Sequence, residues 1–539
     1  MIPRVLTYAP SRAKRFARRA SAVLARRIQH PRYHTLRKLL GFSSWFGKIP
    51  LDMQETRTLL GEEAFAHLMS IAHMSGWDYP RAMHSMAEFL CHAGLPDQGL
   101  MMYEALLASY GSPEKTPEAF IVSYLQMMMF GSPEIQTHER ILQQHLYWSK
   151  RFESNRPYTT YANPLTLNRR LKVGYTCHFI TNAVSTNSLQ PMLKAHNRDR
   201  VEVFLYSDEP VNEKTDSVRP IVEHWRDTYG MDTDAFCEQL RKDGIDILVE
   251  LNGHGLAHRY HAVARHPAPV QVTWYNYCCT TGVPGMDYAL IVSGIEVGQL
   301  QPYYSEAIIH KAGTANAVPI GNDFPPLVEP PFEKNGFITF CSFGQAHKVS
   351  RQQIFLWCEV LKRVPGSKFF MKAQVLGNPA NRAAFIHHFK DGGIDSSRLI
   401  LEGNSAHTIL LECYWRADMA LDTYPSNAGT TSIEATMQGV PVISLTGDRY
   451  SSQVARAIVG MAGHAELQCQ SPQEFIAKAV TLAKDGQKLK HYRQTLRHDL
   501  THSPRGRLDT ALHEIEDTYL EMWRRYVTAH TDTRIKEHA

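Results

Sequence analysis

Apolar residues recur three and four positions apart from about residue 55 to 155, through "EEAFAHLMSIAHMSGWDYPRAMHSMAEFLCHAGLPDQGLMMYEALLASYG". This spacing puts them on one face of successive helices, and Gly76, Gly94 and Gly111 break the pattern where turns are due. Within it "AEFLCHAGLPDQGLMMYEAL" has the small-residue-then-glycine rhythm of a helical-hairpin repeat, although only about one unit carries it. Stacked hairpins of this kind bind proteins or support a neighbouring domain. Met127, Met128 and Met129 read as core filling rather than as a binding patch.

At Arg169 the period shifts. Short runs rich in β-branched and aromatic residues alternate with helical stretches: "RLKVGYTC", "VEVFLYSDE", "IDILVELNG", "VQVTWYNY", "YALIVSG" and "EAIIHKAG". The alternation predicts parallel strands with crossover helices. Residues 313–336, rich in Pro, Gly and Asn, read as a linker. The pattern then restarts with "FITFCSFG", "SKFFMKAQV", "RLILEG", "MALDTYP" and "PVISLTG", and a charged, helix-prone stretch closes the chain. The expected organisation is a basic arm over 1–54, a helical, degenerate repeat-like region over 55–168 and an α/β half over 169–312. The linker over 313–336, a second α/β half over 337–484 and a C-terminal helix and tail over 485–539 follow. Two doubly wound units in succession place a ligand cleft at the strand C-termini of both.

Composition adds to this picture at three points. At 539 residues the chain is too long for one core, and 43% hydrophobic against 21% charged residues is a globular balance. No run of about 18 apolar residues exists, which argues against a membrane-spanning helix. The net charge of +5 is unevenly placed: no Asp or Glu precedes Asp52, while Arg and Lys recur from Arg4 to Lys48. Such an arm is a solvated tail, a contact for an anionic membrane surface or an acidic partner, or an Arg-rich targeting segment. Nucleic acid is not expected as a partner. The nine cysteines lack paired CxxC spacing, so neither zinc nor a disulfide framework is indicated. A cytoplasmic, reducing setting fits, with peripheral membrane contact open through the arm.

Candidate chemistry concentrates in "SNAGTTSIEATMQGVPVIS", 426–444, where a strand runs out and a helix begins near Thr430. First-turn N–H groups have no intrahelical partner and carry partial positive charge, so they attract phosphate oxygens. Gly429 permits close approach, Thr430 and Thr431 add hydroxyl donors, and Glu434 falls a turn deeper on the same face. There it reaches vicinal hydroxyls such as those of a ribose, and the set suits a nucleoside diphosphate. An ordinary N-cap would use the same residue types. A ligand is favoured by "FITFCSFGQAHKVS", 337–350, which sets Gln345 and Lys348 beside the same cleft, where a lysine neutralises a departing diphosphate.

Other clusters read as structural. His254, His258, His261 and His266 have no zinc-site spacing, so they are solvated or core histidines. Asp232 and Asp234 of "MDTDAF" form a nominal Asp-x-Asp pair, but a helix start beginning there explains Asp232 or Thr233 as an N-cap. No GxSxG, P-loop or strand-borne GxGxxG is present, so hydrolase, NTPase and dehydrogenase readings lack their anchors.

From about 115 to 528 the chain resembles the protein O-GlcNAc transferase family (glycosyltransferase family 41) in its bacterial, shorter form. The motifs that carry this are "LKVGYTCHF", "DGIDILVELNG", "RHPAPVQVTW", "TTGVPGMDY", "FCSFGQAHK", "ADMALDTYP" and "NAGTTSIEATMQGVPVISL", in order and with matching spacing. The segment 118–152 is similar to the helices joining the tetratricopeptide part to the catalytic region. The resemblance implies a GT-B fold, two Rossmann-like units with a cleft between them, a UDP-sugar donor, inversion at the sugar carbon and no required metal or other cofactor. A protein Ser or Thr hydroxyl would be the acceptor. It assigns Lys348 to the phosphates, Gln345 to the donor, Thr430 and Thr431 to the helix start and Glu434 to the ribose, with Asn427 and Gly429 in the same donor-binding set.

Departures from the family pattern fall on the sugar and base contacts. A histidine usual after the first strand is replaced around Asn182 and Ala183, and His178 stands where an acid is common. Asn182 and His178 join Lys348 as the catalytic candidates. The histidine before the Thr-Thr pair is Gly429, and the histidine that stacks on uracil aligns with Leu410 or, with a small slip, His407. "YNYCCTTG" departs from the usual Gly-Tyr-Pro-Gly. The expectation is an active transferase acting on a protein. A catalytically silent GT-B scaffold, or a transferase acting on a glycan or lipid-linked acceptor, stands as the alternative.

Overall fold

A computed structural model describes residues 49–537 apart from 75–78, 154–155, 183–184, 187, 256, 292–296, 311–323 and 504–506. Residues 1–48 of the basic arm, the turn at Gly76 and residues 313–323 of the linker therefore lie outside the described residues. Six helices open the described chain: α1 (Met53–Leu60), α2 (Glu62–Met74), α3 (Tyr79–His92), α4 (Pro96–Ala108), α5 (Glu118–Met128) and α6 (His138–Ser149). The repeat-like segment is the α3/α4 hairpin. Its close packing depends on Gly99, where a Cβ would collide with the Sγ of Cys91. Met128 and Met129 are buried, in keeping with a core role.

Two parallel sheets follow. The first contains β1 (Leu171–Cys177), β2 (Val201–Ser207), β3 (His224–Asp227), β4 (Ile247–Glu250), β5 (Val270–Thr273), β6 (Tyr288–Ile291) and β7 (Ala307–His310) in the order β3-β2-β1-β4-β5-β6-β7. The second contains β8 (Thr339–Ser342), β9 (Lys368–Lys372), β10 (Leu399–Glu402), β11 (Met419–Leu421), β12 (Val442–Leu445) and β13 (Gln468–Cys469) in the order β10-β9-β8-β11-β12-β13. The predicted strands all form. Central strands such as β4 and β5 are buried along their whole length and rich in Ile, Leu and Val, with Glu250 and Gln271 among their buried polar members. Two strands escape the sequence pattern. β3, "HWRD", is a polar edge strand, and β13 has only two residues.

The remaining helices that position the site are α7 (Leu189–Ala195), α8 (Arg351–Arg363), α9 (Pro379–Asp391), α10 (His407–Cys413), α11 (Thr430–Met437), α12 (Gly486–His502) and α13 (Leu508–Glu537). The C-terminal stretch, expected as a helix and tail, forms α12 and α13. α13 crosses back to the first unit, where Tyr519, Met522 and Trp523 join the core built on β1, β2, β4 and β5. Glu516 accepts from His196 Nδ1 at 3.0 Å, and the hydroxyls of Tyr175 and Tyr519 meet at 3.0 Å.

The helical region grips both units. Toward the first, His145 Nε2 meets the Tyr277 hydroxyl at 2.5 Å and Ser149 Oγ donates to Thr281 O at 3.0 Å. Toward the second, Arg351 N donates to Gly94 O at 2.9 Å, and the Arg449 guanidinium donates to the carbonyls of Gly131 and Gln136. Gly94 has φ 85°, the left-handed region that glycine tolerates, and His388 packs where a Cβ would project. No helix among the described residues is long and apolar enough to cross a membrane.

Candidate active site

In each sheet the strand order reverses at the first strand, between β1 and β4 and between β8 and β11. The crevice beyond the strand C-termini at such a switch point is where doubly wound units bind ligands. His178 follows β1 directly, Asn252 and Gly253 follow β4, Gln345 and Lys348 follow β8, and the 422–429 loop follows β11.

That last loop is held from beneath by Asp422. Its carboxylate accepts from Thr423 N at 2.8 Å, Ala428 N at 2.9 Å and the Ser444 hydroxyl at 2.7 Å. Burial pushes this carboxyl up to about 6, while those bonds and the Lys348 charge pull it back. Asn427 is buried: its Nδ2 donates to Thr423 O at 2.9 Å and Leu445 O at 3.3 Å. The Nδ2 of Asn427 therefore ties the loop to β12, while its Oδ1 has no partner among the described residues. α11 starts at Thr430 as predicted, with Gly429 as N-cap. The N–H groups of Ser432 and Ile433 return to Gly429 O. Those of Gly429, Thr430 and Thr431 have no acceptor among the described residues. The Gly429 φ of −93° is open to any residue, and a Cβ there would meet only Val454 Cγ1 at 3.5 Å, so neither torsion nor the protein's own packing demands this glycine.

Lys348 ends a 3-10 turn, Ala346–Lys348, and its Nζ donates to Asn427 O at 2.7 Å. The bond sets the ammonium at the mouth of the unpaired amides. Desolvation lowers the lysine's pKa from its ordinary value, opposed by the nearby Cys278 and Asp422. Cys278 belongs to the first unit; burial raises its thiol pKa and the Lys348 charge pulls it down. Gln345 is exposed, and its side chain has no partner among the described residues. Glu434 is buried on α11; His407 Nε2 meets its Oε1 at 2.7 Å, and its Oε2 has no partner among the described residues. His407 thus reaches the site, whereas Leu410 packs on the second unit's core.

On the opposite wall, His178 Nδ1 lies 2.8 Å from Asn252 Oδ1, and Glu250 accepts from Asn252 N at 3.0 Å and Gly253 N at 2.9 Å. Burial pushes the Glu250 carboxyl up to about 8, against the pull of those N–H groups. Tyr275 has φ 82°, a region that costs a residue with a large side chain strain of order 1–3 kcal/mol and that clusters at functional sites. Its hydroxyl bonds Ser188 and its ring stacks on Phe179 at 6.3 Å. Asn182, a catalytic candidate by resemblance, stands in the loop after β1. It is exposed, and its Oδ1 is taken by Ser185 N at 2.7 Å, because a short amide after a turn caps the next N–H groups.

The other clusters resolve into structure. His254 is buried against Thr281 O at 2.7 Å, His258 and His261 pair with Glu118, and His266 pairs with Asp287. Asp232 caps the helix Thr233–Asp243, accepting from Ala235 N at 2.8 Å. No group of three His, Cys, Asp or Glu suited to a metal occurs among the described residues. Sequence reasoning gave no role to Asp422, Asn252, Glu250 or Tyr275. The two acids stand at strand C-termini, the one local signal available; the rest depend on tertiary contacts.

The profile of Glycosyl transferase family 41 matches residues 150–318 and 333–511. The probable UDP-N-acetylglucosamine–peptide N-acetylglucosaminyltransferase SPINDLY of Oryza sativa subsp. japonica is 29% identical over 399 residues, 72% of this chain and 43% of that protein. The corresponding SEC protein of Arabidopsis thaliana is 27% identical over 372 residues, 66% of this chain and 37% of that protein. The chain thus spans less than half the length of these curated relatives. A solved structure of a point mutant of the Thermobaculum terrenum O-GlcNAc transferase superposes with a TM-score of 0.79 at 26% identity, covering 88% of this chain and 90% of that one. Two doubly wound units preceded by a helical region, matched along most of their length by the family profile, place this chain in glycosyl transferase family 41 with a GT-B fold.

Proposed function

We propose that the chain transfers a sugar, N-acetylglucosamine or a hexose, from a UDP-sugar donor to a protein side-chain hydroxyl, with inversion at the sugar carbon. The observation that carries this reading is the unpaired N–H triad of 429–431 with the Lys348 ammonium at its mouth, between the two switch points. In it the diphosphate lies on the amides, Gln345 contacts the donor, and Glu434 Oε2 accepts from a ribose hydroxyl. Ammonium and amides neutralise the leaving group, so the reaction needs no metal. A protein acceptor is supported by the names of the relatives and by a helical region seated against both lobes. Calorimetry with UDP, together with hydrolysis of UDP-sugars by the full chain, tests it. Absence of binding at millimolar UDP would leave the silent scaffold instead.

Glu434→Ala is expected to weaken UDP binding about tenfold, as loss of a hydrogen bond to a charged group does. Calorimetry on the variant reads this directly, and unchanged affinity would remove Glu434 from the ribose.

The His407–Glu434 pair gives a pH dependence with a definite sign. Glu434 raises the His407 pKa above its ordinary value, more than burial lowers it. The pair's contribution to stability is therefore fully present below the unfolded-state histidine pKa and lost as pH rises through the raised one. Urea unfolding of wild type and His407→Ala should show a stability gap that narrows with rising pH; a gap constant from pH 5 to 9 would remove the pair's role.

The basic arm, in this reading, contacts an anionic membrane surface or acidic partner from a cytoplasmic location. Liposome co-sedimentation of the full chain against one lacking residues 1–50 tests the membrane contact, and equal sedimentation would dismiss it.

A further inference from the structure

Asn252 Oδ1 receives two groups from His178: the backbone N–H at 3.1 Å and the ring Nδ1 at 2.8 Å. A backbone N–H can only donate, so the atom facing His178 is the amide oxygen, and the amide's Nδ2 goes to Ala257 O at 3.3 Å. That oxygen can only accept. The Nδ1 of His178 must therefore carry its proton, and in the neutral ring Nε2 keeps the lone pair. Nε2 has no hydrogen-bond partner among the described residues. Asn252 is itself held by Glu250, whose two oxygens take the N–H groups of Asn252 and Gly253. The other charges around the loop are engaged: Glu209 accepts from Thr181 N and Oγ1, and Asp208 pairs with Arg259. The half-buried ring sits at the C-terminal end of β1, at the first unit's switch point.

We propose that His178 Nε2 is the base that takes the proton of the acceptor hydroxyl, with Asn252 and Glu250 as positioning residues that hold the required tautomer. The inference rests on the transfer reading above. In the step, the hydroxyl proton passes to Nε2 and the oxygen's electron pair bonds the anomeric carbon. The bond from that carbon to the diphosphate oxygen breaks, and its electron pair leaves with the diphosphate toward Lys348 and the 429–431 amides. The imidazolium then returns its proton to solvent.

The test uses the full chain with UDP-N-acetylglucosamine and UDP-glucose, water serving as acceptor, and UDP calorimetry alongside. His178→Gln should lower kcat about 10²-fold, the scale of general-base help, with UDP affinity changed less than about twofold. Asn252→Leu should lose most of the same factor. Asn252→Asp should restore turnover and move the acidic limb of the kcat/KM profile to higher pH, because a carboxylate favours imidazolium; an unmoved limb would reduce Asn252 to a structural role. Carbethoxylation read peptide by peptide supplies a readout besides turnover: His178 should react as a neutral, accessible imidazole. Wild-type turnover in His178→Gln, or an unreactive His178 in the folded chain, overturns the base while leaving the transfer reading intact. A wild type that binds UDP yet turns over neither donor removes both.

Discussion

Lys348→Ala is expected to lower turnover of the UDP-sugar donor by about 10²–10³-fold, the loss found when one preorganised donor is removed from a developing negative charge. The size follows from placement. An ammonium about 4 Å from a phosphate oxygen interacts by roughly 4 kcal/mol at an effective dielectric near 20. Desolvation already costs this lysine part of its hydration, as its lowered pKa records. The Asn427 carbonyl holds Nζ in place at 2.7 Å before any ligand arrives, so little reorganisation accompanies the reaction. Because the charge on the diphosphate grows as the bond breaks, the loss should fall mainly on kcat, with a smaller loss in UDP affinity. Single-turnover kinetics on the purified variant measures this. Equal turnover in wild type and variant would sink the electrostatic role and, with it, the enzymatic reading of the 429–431 cradle.

Trp523→Ala should destabilise the first unit by about 3–5 kcal/mol, the usual cost of emptying a buried tryptophan site. Trp523 is fully buried in the core shared by α13 and the first sheet. Its Nε1 donates to Thr166 O at 3.0 Å, and the Arg169 guanidinium covers its ring at 5.0 Å. Truncation leaves a cavity and an unpaired carbonyl together. Urea unfolding followed by circular dichroism should show an earlier transition, as a shifted first phase if the two units unfold separately. An unmoved transition would mean that α13 adds nothing to the first unit's stability.

Much of the site's second-unit half could be read locally. The first-turn amides at 429–431 follow from a strand that runs out within "MALDTYP" and a helix that starts at Thr430, and the lysine after β8 is placed by chain order alone. The rest needed contacts across long separations. Alignment points to Leu410, with His407 a small slip away, and only the packing of α10 brings His407 to Glu434. The resemblance puts Asn427 in the donor-binding set, and its Nδ2 goes to Thr423 O and Leu445 O, carbonyls that sequence cannot place, while its Oδ1 has no partner among the described residues. Asn182 reads as a replacement for a functional histidine, yet it caps its own loop.

By itself the sequence determined the two α/β units, most of their strands, the helical region before them and the helix start at Thr430 with its first-turn amides. These depend on residue period and on unpaired amides, which are properties of neighbours in the chain. Only the tertiary structure decided that α13 returns to complete the first unit's core, that the helical region grips both lobes, and that Asn252 fixes the tautomer of His178. Each of those arises from burying apolar surface or pairing a polar group with a partner tens to hundreds of residues away, and period carries no trace of that partner.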